Sequence, residues 1–272
     1  LDMFLMKSCE KEFNIKTLGS IRIGTLYGFR ILENDEVRDI LEGQYDYKIS
    51  IKNSVIPIEV FGYLYKGFFS LEDFDYPYNT LSIRPNIRSA EGLIIGGKFQ
   101  TFNHDARVTN SQVILTSLHH NCFVFCMSLS SDIPLKPKFK GYDDFWFFSL
   151  DRRKLFSDII KEKIRDCILT NPEEYGVIIE NDNQLEIRAS HDPIKYRRKN
   201  INLNTSNVST LIAAIKELDK IAFTKPLKYK DDNEYRFCFE VFVNGTPISI
   251  TKPYIDIKMD GETTRRIFQK EE

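Results

Sequence analysis

The sequence lacks the long hydrophobic run that a membrane-spanning helix requires. Its longest apolar stretches, such as Cys122–Leu129, have the length of a strand, whereas a helix needs about 20 apolar residues to cross a bilayer. The short apolar stretch Leu1–Met6 has no basic segment before it, so no secretory signal is predicted. We therefore expect a protein that does not enter a membrane.

Cysteine is scarce and irregularly placed, which argues against both a disulfide framework and a zinc site. No Cys-x-x-Cys is present, and no histidine has another histidine four residues away. Cys122 and Cys126 fall in one apolar run, where small buried side chains are the expected role. The cysteines are Cys9, Cys122, Cys126, Cys167 and Cys238. Their odd number favours a reducing compartment, so a cytoplasmic location is predicted. No metal is predicted either.

An excess of one charge is also missing, because 38 Lys and Arg residues oppose 39 Asp and Glu residues. No global basic field therefore indicates nucleic-acid binding. Two short basic clusters lie beside aromatic residues, an arrangement that can follow a phosphate backbone and stack on bases. A solvated loop is the alternative for each cluster. The candidate nucleic-acid residues are Lys136, Lys138, Lys140, Lys195, Arg197 and Arg198.

The glycine-rich motifs of the common nucleotide-binding folds are absent. The chain contains no Gly-x-x-x-x-Gly-Lys-Ser/Thr, no Gly-x-Gly-x-x-Gly and no Gly-x-Ser-x-Gly. These absences argue against a P-loop nucleotidase, a Rossmann cofactor domain and an α/β-hydrolase.

The residues that are abundant favour sheets. Hydrophobic residues make up 42% of the chain and aromatic residues 13%, which allows a sizeable core of packed strands. Helical periodicity covers Asp151–Leu169 and a segment from Thr205 to Ile221, with a third helix possible over Ile31–Leu41. Strand-like runs outnumber these helices and include Pro57–Tyr65 and Gly176–Ile179. We predict a single α+β domain with mixed, mainly antiparallel sheets and two or three helices.

The C-terminal strand-like run carries the most informative pattern. Because strand side chains alternate between faces, Tyr235, Phe237 and Phe239 share one apolar face. Glu234 and Arg236 share the other face with Cys238 and Glu240. This polar face can line a cleft or a solvated surface of the sheet. The alternative is that its charged residues only pair with one another in a ladder of ion pairs.

Several short segments resemble a bacterial family found in mobile-element and phage-defence contexts. The resemblance covers most of the chain in scattered pieces. These are FLMKS, IRIGTLYGFRILENDEVRDILEG, FCMSLS leading to YDDFWFFSLD, IKYRRK, and the Lys-Pro to Glu-Tyr-Arg ending FTKPLKYKDDNEYRFCFE.

The order of these parts also resembles the ADP-ribosyltransferase fold, in which a late strand carries a catalytic glutamate. The resemblance implies that Glu234 is this carboxylate, with Arg236 beside it, and that NAD is a substrate. It implies a core built from residues 1–65 and 120–255, with 66–119 as an insertion. The NAD contacts would come from Lys7 or Ser8 on the first strand and from Thr25 or Tyr27 on the second; for Tyr27 a core role is the alternative.

The chemistry requires one well-placed carboxylate. Cleaving the nicotinamide–ribose bond builds oxocarbenium-like charge, which an ionised glutamate stabilises. The leading hypothesis is an NAD-dependent ADP-ribosyltransferase-like toxin of a toxin–antitoxin or phage-defence system. It would have an antitoxin partner and a nucleic acid, such as RNA, as the preferred acceptor. The alternatives are a non-catalytic sensing module and a metal-dependent nuclease using Asp143, Asp144 and Asp232.

Overall fold

The computed structural model describes residues 3–31, 42–64, 87–95, 98–102, 105–198, 200–204, 207–216 and 218–268. Among these residues, no helix combines the length and apolar character needed to cross a bilayer.

Strands and helices are numbered in chain order. Strands β1 to β17 are Phe4–Cys9, Ser20–Thr25, Gln44–Ile51, Ser54–Pro57, Ile87–Ile95, Lys98–Phe102, Asp105–Thr109, Ser111–His119, Phe123–Ser130, Asp144–Ser149, Leu185–Pro193, Lys195–Arg197, Asn200–Leu203, Thr224–Pro226, Glu234–Val243, Thr246–Ile248 and Tyr254–Lys258. Helices α1 to α5 are Ile15–Leu18, Ile58–Leu64, Arg153–Thr170, Val208–Lys216 and Gly261–Phe268.

The chain forms two compact units. Unit 1 contains residues 1–42, 120–196 and 228–272, and unit 2 contains residues 43–119 and 197–227. Unit 2 thus includes residues 43–65 and 197–227 in addition to the segment expected as an insertion. The prediction of a single domain with that insertion stays a prediction.

Unit 1 is built on an antiparallel sheet in the order β10-β1-β9-β15-β11. Strand β2 also pairs with β9, β17 pairs with β2, and β16 pairs with β15. The long strand β15 therefore lies between β9 and β11, in the interior of the sheet. Strands β9 and β11 both run antiparallel to it.

One edge of β9 is shared between two strands. Its C-terminal part pairs with β1, where Met6 lies opposite Ser128, and its N-terminal part pairs with β2, where Gly24 lies opposite Val124. In this register, residues 125–127 of β9 pair with neither β1 nor β2. We call this opening the sheet fork.

Helix α3 covers the apolar face of the sheet in unit 1. Its residues Phe156, Ile160, Ile164 and Ile168 recur every four positions, so they form one stripe, and all are fully buried. The ring centroid of Phe156 lies 4.9 Å from that of Phe237 on β15. This packing explains why the apolar face of β15 is buried core.

Unit 2 is also mainly antiparallel. One sheet has the order β13-β3-β8-β5, in which the β13–β3 pair is parallel, and a smaller sheet has the order β4-β7-β6. The predicted fold class, α+β with mostly antiparallel sheets and few helices, is confirmed. The ADP-ribosyltransferase-like core stays a prediction.

The element predictions differ from the structure in specific places. The helix expected from Asp151 begins at Arg153, because a 3₁₀ turn occupies Leu150–Arg152. The helix expected to reach Ile221 ends at Lys216 and is followed by a 3₁₀ segment, Leu218–Phe223. The third helix, over Ile31–Leu41, lies almost wholly outside the described residues.

Two predicted strands are wrong. Pro57–Tyr65 contains helix α2, because Ile58, Phe61 and Leu64 are buried at the three-residue spacing of a helix face. Gly176–Ile179 is not a strand. Gly176 has a positive φ and ends the 3₁₀ turn Pro172–Tyr175. Glycine adopts this left-handed conformation readily because it has no side chain.

Candidate functional site

The candidate site is built on the first positions of β15. Glu234 lies opposite Ser128 of β9, and Arg236 lies opposite Cys126 of β9 and Asp192 of β11. Because directly opposed residues share a face, these side chains belong to one face of the sheet. Arg236 is fully buried and Glu234 is 7% exposed. The face expected to be a cleft or solvated surface is therefore buried here.

Two carboxylates hold the Arg236 guanidinium. Nε and Nη2 of Arg236 lie 2.8 Å and 2.7 Å from Oε1 of Glu234. Nη1 donates a hydrogen bond of 2.8 Å to Oε1 of Glu42, whose side chain is 1% exposed. We call Glu234, Arg236 and Glu42 the carboxylate–guanidinium triad.

The charges in the triad compensate the burial. Burial of the guanidinium disfavours its charged form, but Glu234 and then Glu42 outweigh this effect and raise the pKa of Arg236 well above its ordinary value. The guanidinium therefore remains a cation inside the sheet.

Backbone hydrogen bonds fix Glu234 at the entrance of its strand. The N–H of Glu234 donates to the Tyr196 hydroxyl at 2.8 Å, and its carbonyl accepts from the N–H of Ile194 at 2.8 Å. Asn233, just before the strand, has a positive φ and its side chain donates to the carbonyl of Leu129. The backbone of Glu234 is thus held by the segment 194–196, and Asn233 before it is held by the end of β9.

The polar face continues beyond the triad toward the C-terminal end of β15. Nε2 of His120 lies 3.2 Å from Oε1 of Glu240. Of the ion-pair ladder expected from sequence, the structure forms the Glu234–Arg236 pair and adds Glu42 to it. Cys238 lies between Arg236 and Glu240 in the strand, and its sulfur is 3.3 Å from that of Cys122. Burial raises the pKa of Cys122 well above its ordinary value, which argues for packing rather than nucleophilic chemistry.

Lys7 and Ser8 lie on opposite faces of β1. Ser8 shares the face of Met6 and hence of Glu234, and its hydroxyl accepts from the N–H of Lys138 at 2.9 Å. Lys7 instead shares the apolar face and lies opposite Trp146. Its amine donates to the Cys126 carbonyl at 3.1 Å, which places a cation at the sheet fork.

Thr25 and Tyr27 stabilise a turn at the end of β2. The Thr25 hydroxyl accepts from the N–H of Gly28 at 3.0 Å and lies 3.1 Å from the Pro253 carbonyl, to which it donates. The Tyr27 ring stacks under the Arg30 guanidinium, 3.9 Å from its centre. Because Thr25 lies opposite Phe123, it belongs to the apolar face, away from Glu234.

The basic clusters are largely at the surface. Lys136, Lys138, Lys140 and Lys195 are all exposed, and the Lys138 amine donates a hydrogen bond to the Asp232 carbonyl at 2.7 Å. Partial burial lowers the pKa of Lys138. In unit 2, Arg198 is exposed and Arg197 is partly buried. The structure thus gives Lys138 a role in fixing its loop and leaves its neighbours Lys136 and Lys140 facing solvent.

The acidic residues of the nuclease alternative have local structural partners. Asp143 accepts from the backbone N–H of Lys11 at 2.8 Å. Asp144 accepts from the Asn14 amide at 2.9 Å, which holds the pKa of that carboxyl below its usual range. Both carboxylates therefore anchor the segment that follows β1.

Glu42 is the member of the site that sequence reasoning missed. It belongs to the segment IRIGTLYGFRILENDEVRDILEG, but nothing in the spacing links it to a strand that follows 194 residues later. Comparisons with known protein families, with curated proteins and with solved structures give no match to this chain.

Proposed function

We propose that the chain is an ADP-ribosyltransferase-like effector that uses NAD as a substrate and transfers ADP-ribose to a macromolecule. The observation that carries the proposal is the Glu234 carboxylate, which two nitrogens of Arg236 hold at the first position of an interior strand. A strand-borne carboxylate with a fixed counterion has the rigidity that a catalytic group needs.

The proposed chemistry uses the charge of Glu234. Departure of nicotinamide leaves positive charge on the ribose, and a carboxylate stabilises this charge more in the transition state than in the ground state. Arg236 supports the reaction by keeping Glu234 ionised and oriented. Among the residues expected to contact NAD, Ser8 is the one on β1 or β2 whose strand position shares the face of Glu234.

The acceptor and partner belong to the same proposal. The exposed Lys136, Lys138, Lys140 and Lys195 support a nucleic acid, such as RNA, as the acceptor. The family resemblance supports a toxin–antitoxin or phage-defence role in the cytoplasm and an antitoxin protein as partner.

A non-catalytic binding module is the second candidate, and one observation favours it. Arg236 and Glu42 have side chains that are 1% exposed or less, so their ion pair can act purely in the stability of unit 1. In that case replacing Glu234 would alter stability without altering any transfer reaction.

Labelled NAD distinguishes the two candidates. Purified protein is incubated with NAD labelled in its adenylate part and with RNA, DNA or cell lysate, with and without EDTA. We expect label on a macromolecule for the wild type and for the control Glu186→Gln, and loss of transfer in Glu234→Gln. Transfer should survive EDTA, whereas a metal-dependent nuclease would lose its activity.

Two outcomes would contradict this proposal. If folded wild-type protein neither transfers label nor releases nicotinamide, the binding module replaces the transferase. If Glu234→Gln transfers as well as the wild type, another residue supplies the carboxylate.

A further inference from the structure

We propose that Glu42 is the positioning residue of this site, and that it acts on Glu234 through Arg236. The catalytic consequence rests on the proposed function, but the positioning itself does not. The two carboxylates contact different nitrogens of one guanidinium.

The contacts with Glu234 restrain the guanidinium less than contacts with two separate oxygens would. Nε and Nη2 of Arg236 both approach the same atom, Oε1 of Glu234, at 2.8 Å and 2.7 Å. Contacts that converge on one atom leave the two groups able to pivot about it. The hydrogen bond from Nη1 to Glu42, at 2.8 Å, adds a second acceptor at a different nitrogen and stops this pivot.

Glu42 is itself held by the turn that follows β2. Its carbonyl accepts from Nε of Arg30 at 2.7 Å, and the Arg30 guanidinium stacks on Tyr27. The turn that carries Arg30 begins beside Thr25, whose hydroxyl accepts from the N–H of Gly28. A continuous set of contacts therefore runs from the end of β2 through Glu42 to Glu234.

This arrangement gives Thr25 and Tyr27 an indirect role. They fix the turn that presents Arg30 to Glu42, and so they support the orientation of Glu234 without needing to touch NAD. Glu42 is also the one acidic residue of the triad that lies outside β15, so it couples that strand to the segment after β2.

The first test reads Arg236 directly and needs no activity. We expect the wild type to show separate, slowly exchanging Nη1 and Nη2 resonances for Arg236 in ¹⁵N NMR, assigned by their loss in Arg236→Lys. Glu42→Met, which removes the acceptor but keeps the length, should merge or broaden these signals. Glu42→Gln, which keeps an acceptor oxygen, should restore them. The exposed pair partner Arg188 serves as the control that none of these changes affects.

The second test reads the reaction. Glu42→Met should lower the kcat for labelled transfer by roughly 10–100-fold, since a small displacement of a reacting group has that effect. The KM for NAD should stay within about twofold, because Glu42 does not contact substrate in this proposal. Glu42→Gln should regain most of kcat.

The outcomes separate the two claims. Averaged Nη signals in wild-type protein would overturn the role of Glu42, even if Glu42→Met does not fold. Unchanged Nη signals and kcat in folded Glu42→Met would overturn it as well and leave the transferase intact. Locked Nη signals without any transfer would instead retain the positioning and refute the proposed function.

Discussion

At the scale of single residues, two neighbouring strands in the described part of the chain carry the same charged pair. Glu186 and Arg188 on β11 repeat the spacing of Glu234 and Arg236 on the neighbouring strand β15, with contacts of 2.8 Å in both pairs. The β11 pair has side chains about half exposed, at 53% and 49%, whereas Arg236 is fully buried. Water screens an exposed pair strongly, so the two pairs should differ greatly in their effect on stability.

Replacing each arginine by methionine measures this difference. Arg236→Met leaves Glu234 and Glu42 buried without that counterion, and we expect the free energy of unfolding to fall by about 3–5 kcal/mol. Arg188→Met should leave it unchanged within the error of urea titrations. The triple variant Glu42→Met, Glu234→Met and Arg236→Met should recover much of the loss, because apolar side chains can replace a buried ionic group. Equal effects of the two single variants would contradict the burial of the triad.

Sequence alternation was sufficient to place Glu234 and Arg236 on one face, and the structure agrees. It could not distinguish this pair from Glu186 and Arg188, because spacing is identical and burial comes from flanking strands. The role of Glu42 could not be predicted for a related reason, since its contact with Arg236 joins residues that are 194 positions apart in the sequence. Local pattern reports which face a side chain takes, whereas long-range packing decides what covers that face.

At the scale of elements, the short helix α5 depends on the residue before it. Oδ1 of Asp260 accepts from the N–H of Thr263 at 2.7 Å, and Oδ2 accepts from its hydroxyl at 2.8 Å. These bonds satisfy donors that the first turn of a helix leaves open, and the helix dipole favours the negative charge there. The helix in turn buries Ile267 in the core of unit 1.

The cap predicts a specific pH dependence. Hydrogen bonds from the backbone and then the hydroxyl of Thr263 lower the pKa of Asp260 from 3.8 to about 2. A depressed carboxyl pKa contributes stability above pH 3.8 and loses it as the pH falls through about 2. We expect the ¹³C carboxyl resonance of Asp260 to titrate near the lower value. Thr263→Ala, which keeps the backbone donor, should move the midpoint part of the way upward; a wild-type midpoint at 3.8 would show that the cap does not form.

The elements also show where periodicity succeeds and where it fails. Helix α3 was recognisable because its buried residues recur every four positions over 18 residues. Helix α2 has only 7 residues, and its valine and isoleucine content matched a strand as well as a helix. The helix forms because Ile58, Phe61 and Leu64 are buried together on one side of it, which the spacing of a strand would not allow.

At the scale of the whole molecule, the fold buries its cysteines to different degrees. The structure has five free cysteines: Cys9, Cys122 and Cys238 are buried, while Cys126 and Cys167 are partly exposed. Burial also raises the pKa of Cys9 to about 11, so its thiolate is scarce at neutral pH.

Alkylation of the native protein should follow this order. We expect Cys126 and Cys167 to react with iodoacetamide before Cys9, and Cys122 and Cys238 to react last, as read by peptide mass spectrometry over time. Denatured protein without reductant should yield five thiols. A lower count would indicate a disulfide, and early labelling of Cys238 would contradict the burial of the polar face of β15.

Unit 1 joins strands from the two ends of the described chain, and this has a consequence during synthesis. Arg22 on β2 meets Asp256 on β17 across 234 residues. At roughly 5–20 residues per second, the ribosome needs about 10–50 s to deliver the partner. Strands β1 and β2 are therefore synthesised before their partner strands. Their apolar faces stay uncovered until β9, and finally β15 and β17, have been synthesised. The nascent chain is most exposed to aggregation and to chaperone capture in that interval, before the candidate site exists at all.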